Sequence, residues 1–314
     1  MFTFCGTYNS SPIVIELDPA NVNYIIDAGM LYNKAKTILL KGKSGSNITL
    51  PASLKTIGGG AFSYCDITGI TIPSSVETIG DEAFSQTYSS SITNITLPAS
   101  LKTIGKKAFF SCHIGDSITI PGTVKTIGNW AFSFNYFTSI TIGNGVETIG
   151  DDAFGNNSNI TSINIPASVK NVSGNPFNSC HKLSSITVDA ANTAYMSEGG
   201  ILYSKDKKTL IAVPGAKSGS VIIPSGVTKI GFWAFDGCYN ITGITIPNTV
   251  TEIEGFSFSN CPITSITIPA SVMTIHEGAF AGGMTINIQG KTASTVPEDW
   301  KNAPWYYLGT INFI

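Results

Sequence analysis

The sequence predicts a repeat solenoid that is dominated by short strands, with only one-turn or 3-10 helical segments between them. One pattern, I/L-x-I/L-P-x-x-V/L-x-x-I-G-x-x-A-F-x-x-C/N, recurs along the chain, as in residues 70–87. Each copy has too few apolar residues to bury a core alone, so successive coils must stack. Charged residues make up only 12% of the chain, while Gly and β-branched residues are abundant, which favours an ordered, β-rich protein.

One apolar residue, usually followed by proline, marks each copy of the pattern. Most markers are about 23 residues apart, a period typical of leucine-rich repeats, and two coils are longer, at 33 and 35 residues. The chain is therefore expected to form about 12 coils of a right-handed leucine-rich-repeat superhelix. The markers are Leu17, Leu50, Ile72, Leu97, Ile120, Ile142, Ile165, Val188, Ile223, Ile246, Ile268 and Ile288.

A single coil shows how the strands are specified. In residues 162–165 isoleucine alternates with Ser162 and Asn164, which predicts a short strand with one face turned inward. Pro166 ends this strand because proline cannot donate to a sheet. A second extended run, 169–172, follows. In other coils a Gly-x-x-Ala-Phe segment then leaves room for no more than one helical turn, as in residues 150–154.

The two long coils contain related insertions, which we place at 18–47 and 189–220. Both carry the motif D-x-x-N-x-x-Y…G-x-L-Y-x-K, and the copies are 171 residues apart. A lysine-rich turn and a second apolar run follow each motif, which predicts a β-hairpin folded against the body. We interpret residues 1–314 as one solenoid domain, closed by a cap at 289–314 that contains Trp300, Trp305, Tyr306 and Tyr307.

The repeat and the insertion motif together resemble the BspA-like bacterial surface leucine-rich repeat family over about residues 13–288. The resemblance implies a secreted or surface-attached bacterial protein with a role in adhesion to host matrix proteins or to other cells. The first ten residues do not have the pattern of a signal peptide, and no wall anchor is recognised. No run is long enough for a membrane span.

Five cysteines occupy one repeat position, three residues after the repeat phenylalanine. Other coils place Thr87, Asn135 or Asn157 there, so we expect small buried side chains that bond to turn backbone, and mostly free thiols. Cys5 lies outside this pattern. The five are Cys65, Cys112, Cys180, Cys238 and Cys261.

Nothing in the sequence points to catalysis, a cofactor or a metal. The chain has three histidines, none at metal-ligand spacing, and it contains no nucleophile elbow, phosphate loop or calcium loop. We therefore predict a non-enzymatic recognition module. The alternative is a carbohydrate-active enzyme on a β-solenoid, which would require acids, bases or metal ligands clustered on one face.

The choice of cations and aromatics suggests where a partner binds. Arginine is absent and the net charge is −2, which argues against nucleic acid. Lysines concentrate in the insertions, where they fit an anionic glycan or simply solubilise a turn. We predict partner contacts near Tyr32, Lys34, Tyr203 and Lys205, with packing as the alternative role of the tyrosines.

A second predicted contact surface comes from aromatics at one repeat position, two residues before the repeat phenylalanine. Other coils carry Glu82, Lys107 or Asp152 there, which indicates a position that faces solvent. Large exposed aromatics favour a protein contact or a dimer seam, and the alternative is shelter against the neighbouring coil. The three aromatics are Trp130, Trp233 and Phe256.

Overall fold

The computed structural model describes residues 2–4, 13–87, 95–298, 300 and 309–314. The chain divides into two compact units: unit 1 consists of residues 1–160 and 168–173, and unit 2 of residues 161–167 and 174–314. Both are built from short strands, and among the described residues only Glu298 and Trp300 are helical. The predicted strand-dominated solenoid of about 12 coils is confirmed, and the assignment of both units to one domain stays a prediction.

Unit 1 begins its long sheet with the first insertion, which is a three-stranded antiparallel meander rather than a simple hairpin. Its strands are Tyr24–Asp27, Met30–Asn33 and Ile38–Lys41. The third strand pairs in parallel with the next strand of the unit, so the meander is continuous with the solenoid sheet. Just before it, Ile13–Ile15 pairs antiparallel with Phe2–Phe4, so the coil marked by Leu17 departs from the parallel pattern.

The strands that continue this sheet, here called ladder strands, are only two residues long. Threonine pairs with threonine and isoleucine with isoleucine from coil to coil, until Asn171 and Val172 end the column. The isoleucines are buried, which fixes the register because a slip by one residue would expose them. The ladder strands of unit 1 are Thr56–Ile57, Thr78–Ile79, Thr103–Ile104, Thr126–Ile127, Thr148–Ile149 and Asn171–Val172.

The strands that lead to the marker residues form shorter sheets. In unit 1 they pair in parallel as Ile48–Thr49 with Ile70–Thr71, and as Ser117–Ile120 with Ser139–Ile142. In these strands isoleucine is turned inward and threonine outward, as in the pattern exposed, buried, exposed, buried of residues 117–120. The ladder strands therefore provide the long continuous sheet of the unit.

Unit 2 repeats this plan. Its meander, Tyr195–Glu198, Ile201–Ser204 and Thr209–Ala212, leads into the ladder strands Lys229–Ile230, Glu252–Ile253 and Thr274–Ile275. The second insertion is again a three-stranded meander whose third strand pairs in parallel with the first ladder strand. The marker strands are Ser162–Ile165 with Ser185–Val188, Ser218–Ile222 with Asn240–Thr245, and Ser265–Ile268 with Thr285–Ile288.

Stacked phenylalanines fill the centre of each unit. In unit 1 Phe62, Phe84, Phe109, Phe132 and Phe154 lie ring over ring, with centroids 5.1 to 5.7 Å apart. In unit 2 Phe235, Phe258 and Phe280 stack at 5.3 and 5.4 Å. Each aromatic pair contributes about 0.5–1.5 kcal/mol beyond the area that it buries. The repeat phenylalanine is therefore the main packing residue of a coil.

The end of unit 2 carries an added strand and a buried tryptophan, while the cap at 289–314 stays a prediction. Thr310–Phe313 adds a parallel strand to Thr285–Ile288, and the buried Trp300 lies under the Lys291 ammonium, 5.5 Å from the ring centroid. Trp305, Tyr306 and Tyr307 lie outside the described residues. Within the described ranges, no helix has the length and apolar character needed to span a bilayer.

Candidate functional site

The two meanders place equivalent residues in equivalent surroundings. Tyr32 and Tyr203 are 1% and 2% exposed, so the packing alternative describes both side chains, and neither ring is open to a partner. Burial raises the pKa of each tyrosine to about 12. At the turns, Lys36 forms an ion pair with Asp27 at 2.6 Å, and Lys207 forms one with Glu198.

The predicted contact lysines, Lys34 and Lys205, are exposed at the meander turns. Their backbone amides donate to the carbonyls of Asn23 and Ala194, at 2.7 and 2.8 Å. The turns are therefore held in place while both ammonium groups face solvent. Each unit thus presents one such lysine next to a buried tyrosine.

Unit 1 has an exposed group of aromatic rings, here called aromatic cluster 1, which consists of Phe110, Trp130 and Phe134. The Phe110 ring lies 6.1 Å from Trp130 and 5.2 Å from Phe134 between centroids. Phe134 is 41% exposed, and the Lys107 ammonium lies 5.4 Å from the Phe110 centroid. The sequence identified only Trp130, because Phe110 and Phe134 occupy other repeat positions.

Unit 2 has a comparable group, aromatic cluster 2, formed by Phe232, Trp233 and Phe256. The ring centroids are 4.8 to 6.1 Å apart, and Phe232 meets Phe256 edge to face. Phe256 is 41% exposed and Trp233 is half-buried. Two of the predicted contact aromatics, Trp233 and Phe256, therefore lie together with Phe232.

The aromatic position has a left-handed backbone with aromatic and with charged occupants, but its burial varies. Trp130, Trp233 and Phe256 all have positive φ, between 54° and 61°, a region that glycine adopts most readily. The inference that this position always faces solvent is wrong, because Asp152 is fully buried there and Trp130 is half-buried. Burial at this position therefore differs from coil to coil.

Two of the three histidines, His113 and His181, lie beside tyrosines. His113 stacks on the exposed Tyr136 at 5.4 Å, and His181 lies 4.7 Å from the exposed Tyr239. These pairs add polar aromatic surface to unit 1 and unit 2, respectively.

A feature that the sequence analysis missed is a column of charged residues immediately before the ladder strands of unit 1. The backbones of successive members are joined by hydrogen bonds of 2.8 to 3.0 Å. This charge column consists of Lys55, Glu77, Lys102, Lys125, Glu147 and Lys170. The sequence does contain a signal for this column, because a charged residue precedes the Thr-Ile pair in successive coils.

Each glutamate of the charge column contacts two lysines. Glu77 lies 3.3 Å from Lys55 and 2.6 Å from Lys102, measured between Nζ and the carboxylate oxygens. These hydrogen bonds, that from Lys102 first, hold the pKa of Glu77 below its usual value, and Lys170 and Lys125 do the same for the pKa of Glu147. Each glutamate and its two lysines form a triad: Lys55, Glu77 and Lys102 in one, and Lys125, Glu147 and Lys170 in the other. A groove between the two triads is lined by Glu77, Ser100, Lys102, Gly122, Thr123 and Lys125.

Unit 2 contains a different charged group at its ladder. Among the described residues, Glu252, Glu254 and His276 form the one set whose donor atoms are close enough to share a cation, all within 4.8 Å. The Lys229 ammonium contacts both carboxylates. Burial lowers the pKa of Lys229, but Glu254 and Glu252 outweigh it and raise the pKa overall. The arrangement is an ion-pair cluster centred on lysine.

The cysteine prediction is confirmed at four positions and wrong at one. Cys112, Cys180, Cys238 and Cys261 are free and buried, whereas Cys65 is disulfide-bonded. Cys65 is as fully buried as the free cysteines, so burial at this position does not decide which thiol stays free. Cys5 lies outside the described residues.

The free ladder residues bond to turn backbone as expected. The Cys112 thiol donates to the Phe84 carbonyl at 2.9 Å, and the Asn135 amide donates to the carbonyls of Phe109 and Phe132 at 2.8 and 2.9 Å. Burial raises the pKa of Cys112 to about 12, which makes this thiol a structural group.

Comparison with solved structures finds the same fold in other bacterial proteins. The chain is similar to the crystal structure of the pneumococcal vaccine antigen PcpA, with 23% identity, a TM-score of 0.70, and coverage of 92% of this chain and 85% of that one. It is also similar to a leucine-rich cell surface protein from Faecalibacterium prausnitzii, with 25% identity, a TM-score of 0.66, and coverage of 94% and 96%. Among curated proteins, none matches significantly.

A family model for the BspA-type leucine-rich repeat region matches in six copies. The matched segments are residues 39–132, 87–198 and 215–294, which together cover most of the chain and include both ladders. This chain belongs to the BspA-type leucine-rich repeat family.

Proposed function

We propose that this protein is a non-enzymatic recognition module, displayed on the bacterial surface or secreted, that binds a surface protein or glycan of a host or of another cell. The observation that carries the proposal is the pair of partly exposed aromatic clusters, one in each unit, in which Phe134 and Phe256 are the exposed rings. Exposed aromatic side chains supply much of the binding energy at protein interfaces, so we assign these clusters to a protein partner.

The backbone at the aromatic position determines which substitutions can test this assignment. A non-glycine residue in the left-handed region costs about 1–2 kcal/mol, and two other coils place Gly60 and Gly278 at this position. Glu82, Lys107 and Asp152 adopt the same conformation at this position, with φ between 52° and 57°, so the repeat imposes the strain on every occupant. The partial exposure of the rings, and not their backbone, therefore supports the binding role.

The exposed lysines of the meanders, Lys34 and Lys205, are proposed as secondary contacts. They recur once in each unit and lie on turns held by backbone hydrogen bonds. Two similar weak contacts on one chain increase overall binding when a partner has repeated sites. The buried Tyr32 and Tyr203 contribute by packing behind these turns.

The disulfide at Cys65 supports a location outside the cytoplasm, because disulfides persist in oxidising compartments. The similar protein from Faecalibacterium prausnitzii is described as a cell surface protein. We propose the same location for this chain.

The test is binding of the purified chain to immobilised extracellular-matrix proteins and to intact host and bacterial cells. The variants are Trp130→Asn in cluster 1 and Trp233→Asn with Phe256→Asn in cluster 2, since asparagine tolerates the left-handed backbone. We expect each cluster variant to weaken binding about tenfold or more. The matched control is Glu82→Asn, at the same repeat position with φ of 57°.

Circular dichroism checks that the variants fold. Unchanged binding in both cluster variants would overturn the assignment of the clusters. Sustained release of reducing sugar from a polysaccharide would contradict the non-enzymatic part of the proposal.

A further inference from the structure

The charge column of unit 1 has an uneven distribution of charge. Its order is Lys-Glu-Lys-Lys-Glu-Lys, and each glutamate is shared between the lysines on either side. Lys102 and Lys125 are the one neighbouring pair in the column without a carboxylate between them. The Lys125 amide donates to the Lys102 carbonyl at 2.9 Å, so both side chains start from adjacent backbone.

The column therefore keeps a positive charge at its centre. Four lysines and two glutamates leave a formal charge of +2, and both central lysines are exposed. Adjacent strands are about 4.8 Å apart, so two ammonium groups on neighbouring coils can reach one anionic group. The groove lies at this point, between the two triads.

The lining of the groove indicates the kind of molecule that carries the anion. Its six residues include Ser100, Thr123 and Gly122, and the Ser100 hydroxyl donates to the Val76 carbonyl at 2.6 Å. Most of the surface that the groove offers comes from carbon atoms, which suits the apolar face of a sugar ring. The hydroxyl lone pairs and the lysine ammonium groups around this surface can bond to the hydroxyls and carboxylates of the ligand.

The outer glutamates restrict how densely the ligand can be charged. Glu77 and Glu147 are three coils apart, about 14 Å at sheet spacing. A polymer with a negative charge on every unit would lie beside one of these carboxylates while it reached the lysines. Like charges repel, so widely spaced anionic groups are favoured.

We propose that this groove binds an acidic polysaccharide in which a uronic acid alternates with an uncharged sugar. Lys102 and Lys125 bind one carboxylate, and Ser100 and Thr123 bond to sugar hydroxyls. Glu77 and Glu147 keep the flanking lysines engaged and select against densely charged polymers. The site shares no residue with either aromatic cluster.

The experiment measures binding of the full chain to immobilised hyaluronate, in which charged and uncharged sugars alternate. We expect binding that weakens as the salt concentration rises. The double variant Lys102→Gln with Lys125→Gln should lower the affinity about fivefold to tenfold, because it removes two exposed charges. The matched control, Lys106→Gln with Lys208→Gln, removes two exposed lysines outside the groove and should bind as the parent does.

Two further comparisons test the choice of ligand. Glu77→Gln with Glu147→Gln should raise binding to polygalacturonate, which is charged on every sugar, more than binding to hyaluronate. Neutral dextran and poly-L-glutamate should bind less than hyaluronate at equal concentration. Equal binding of poly-L-glutamate would overturn the glycan assignment, and equal loss in the lysine control would overturn the site.

The results of this test can be distinguished from those of the test of the proposed function. Loss of hyaluronate binding in the lysine variants with protein binding intact supports two independent sites. Absence of hyaluronate binding overturns the groove proposal and leaves the aromatic clusters to be judged by their own variants.

Discussion

Each unit has a column of hydrogen-bonded backbone just before its ladder strands, but the side chains on the two columns differ. In unit 1 the residues before the ladder strands form the charge column from Lys55 to Lys170. In unit 2 the equivalent residues are Lys208, Thr228, Thr251 and Met273, joined by the same hydrogen bonds at 2.8 Å. The repeat thus fixes the backbone at this position and leaves the chemistry of the side chain open.

The position after the ladder strand shows the opposite distribution. In unit 1 it is glycine in most coils, and a Cβ on Gly105 would lie 2.5 Å from the Asp81 amide nitrogen. In unit 2 two coils carry Glu254 and His276 there, and these side chains join Glu252 and Lys229 in the ion-pair cluster. Unit 1 therefore packs its turns more closely and places its charges earlier in the coil.

The largest effect is expected in the part that both units share, the phenylalanine stack. Phe109 and Phe258 are both fully buried between two stacked rings. Phe109→Ala and Phe258→Ala should each lower the free energy of unfolding by about 3–5 kcal/mol, measured by urea denaturation.

The conservative changes Phe109→Leu and Phe258→Leu are the controls and should cost less. If only one of the alanine variants is strongly destabilised, the two units do not depend equally on their stacks, and the comparison must be revised.

A smaller and asymmetric effect is expected after the ladder strand. Gly105→Ala introduces a Cβ against backbone of the neighbouring coil and should destabilise by about 1–3 kcal/mol. Glu254→Ala, at the equivalent position of unit 2, removes a partly exposed ion pair and should cost no more than about 1 kcal/mol. Thermal denaturation of both variants checks this order, and tolerance of Gly105→Ala would show that unit 1 is not packed more closely.

The features that the sequence predicted are those that the repeat forces on every coil. The period identified the stacked coils, and the interchange of cysteine with asparagine identified buried residues that bond to turn backbone, as Asn135 does. The twin motifs identified equivalent insertions, but alternation alone did not indicate the third strand of each meander. Because burial and bonding to the backbone recur in every coil, they leave a periodic pattern in the sequence itself.

The features that were missed depend on contacts between coils. Asp152 is buried while Glu82, at the same repeat position, is exposed, so the repeat position does not determine burial. Tyr32 was proposed as a contact residue because its motif recurs, but a recurring tyrosine can equally be a packing residue. The charge column joins residues about 23 positions apart, so its ion pairs appear only when the coils are aligned.

A matching effect in both units is expected at alkaline pH. The pKa of Tyr32 and of Tyr203 is raised by burial to about 12, from an ordinary value near 10. The neutral rings stabilise the fold fully below pH 10, and this contribution is lost as the pH rises from about 10 to 12. In an ultraviolet titration, Tyr32→Phe and Tyr203→Phe should each show one fewer tyrosine that ionises near pH 12. An early-ionising Tyr203 would break the equivalence of the meanders.

The smallest expected effect distinguishes two separate triads from one continuous column in unit 1. The pKa of Glu77 is lowered first by Lys102 and then by Lys55, and that of Glu147 first by Lys170 and then by Lys125. Because both pKa values are depressed in the folded state, the ion pairs stabilise at neutral pH and are lost as the pH falls through those values. Both glutamates face solvent, so the change in stability is small and the pKa itself is the better observable.

Side-chain carboxyl NMR titration of Lys102→Gln should therefore raise the pKa of Glu77 toward its ordinary value and leave that of Glu147 unchanged. Lys170→Gln is the matched variant and should raise the pKa of Glu147 alone. A shift of both glutamates in either variant would show that charge is coupled across the groove between Lys102 and Lys125. In that case the central lysines would be neutralised from both sides, and unit 1 would offer an anion no more positive charge at the groove than elsewhere along the column.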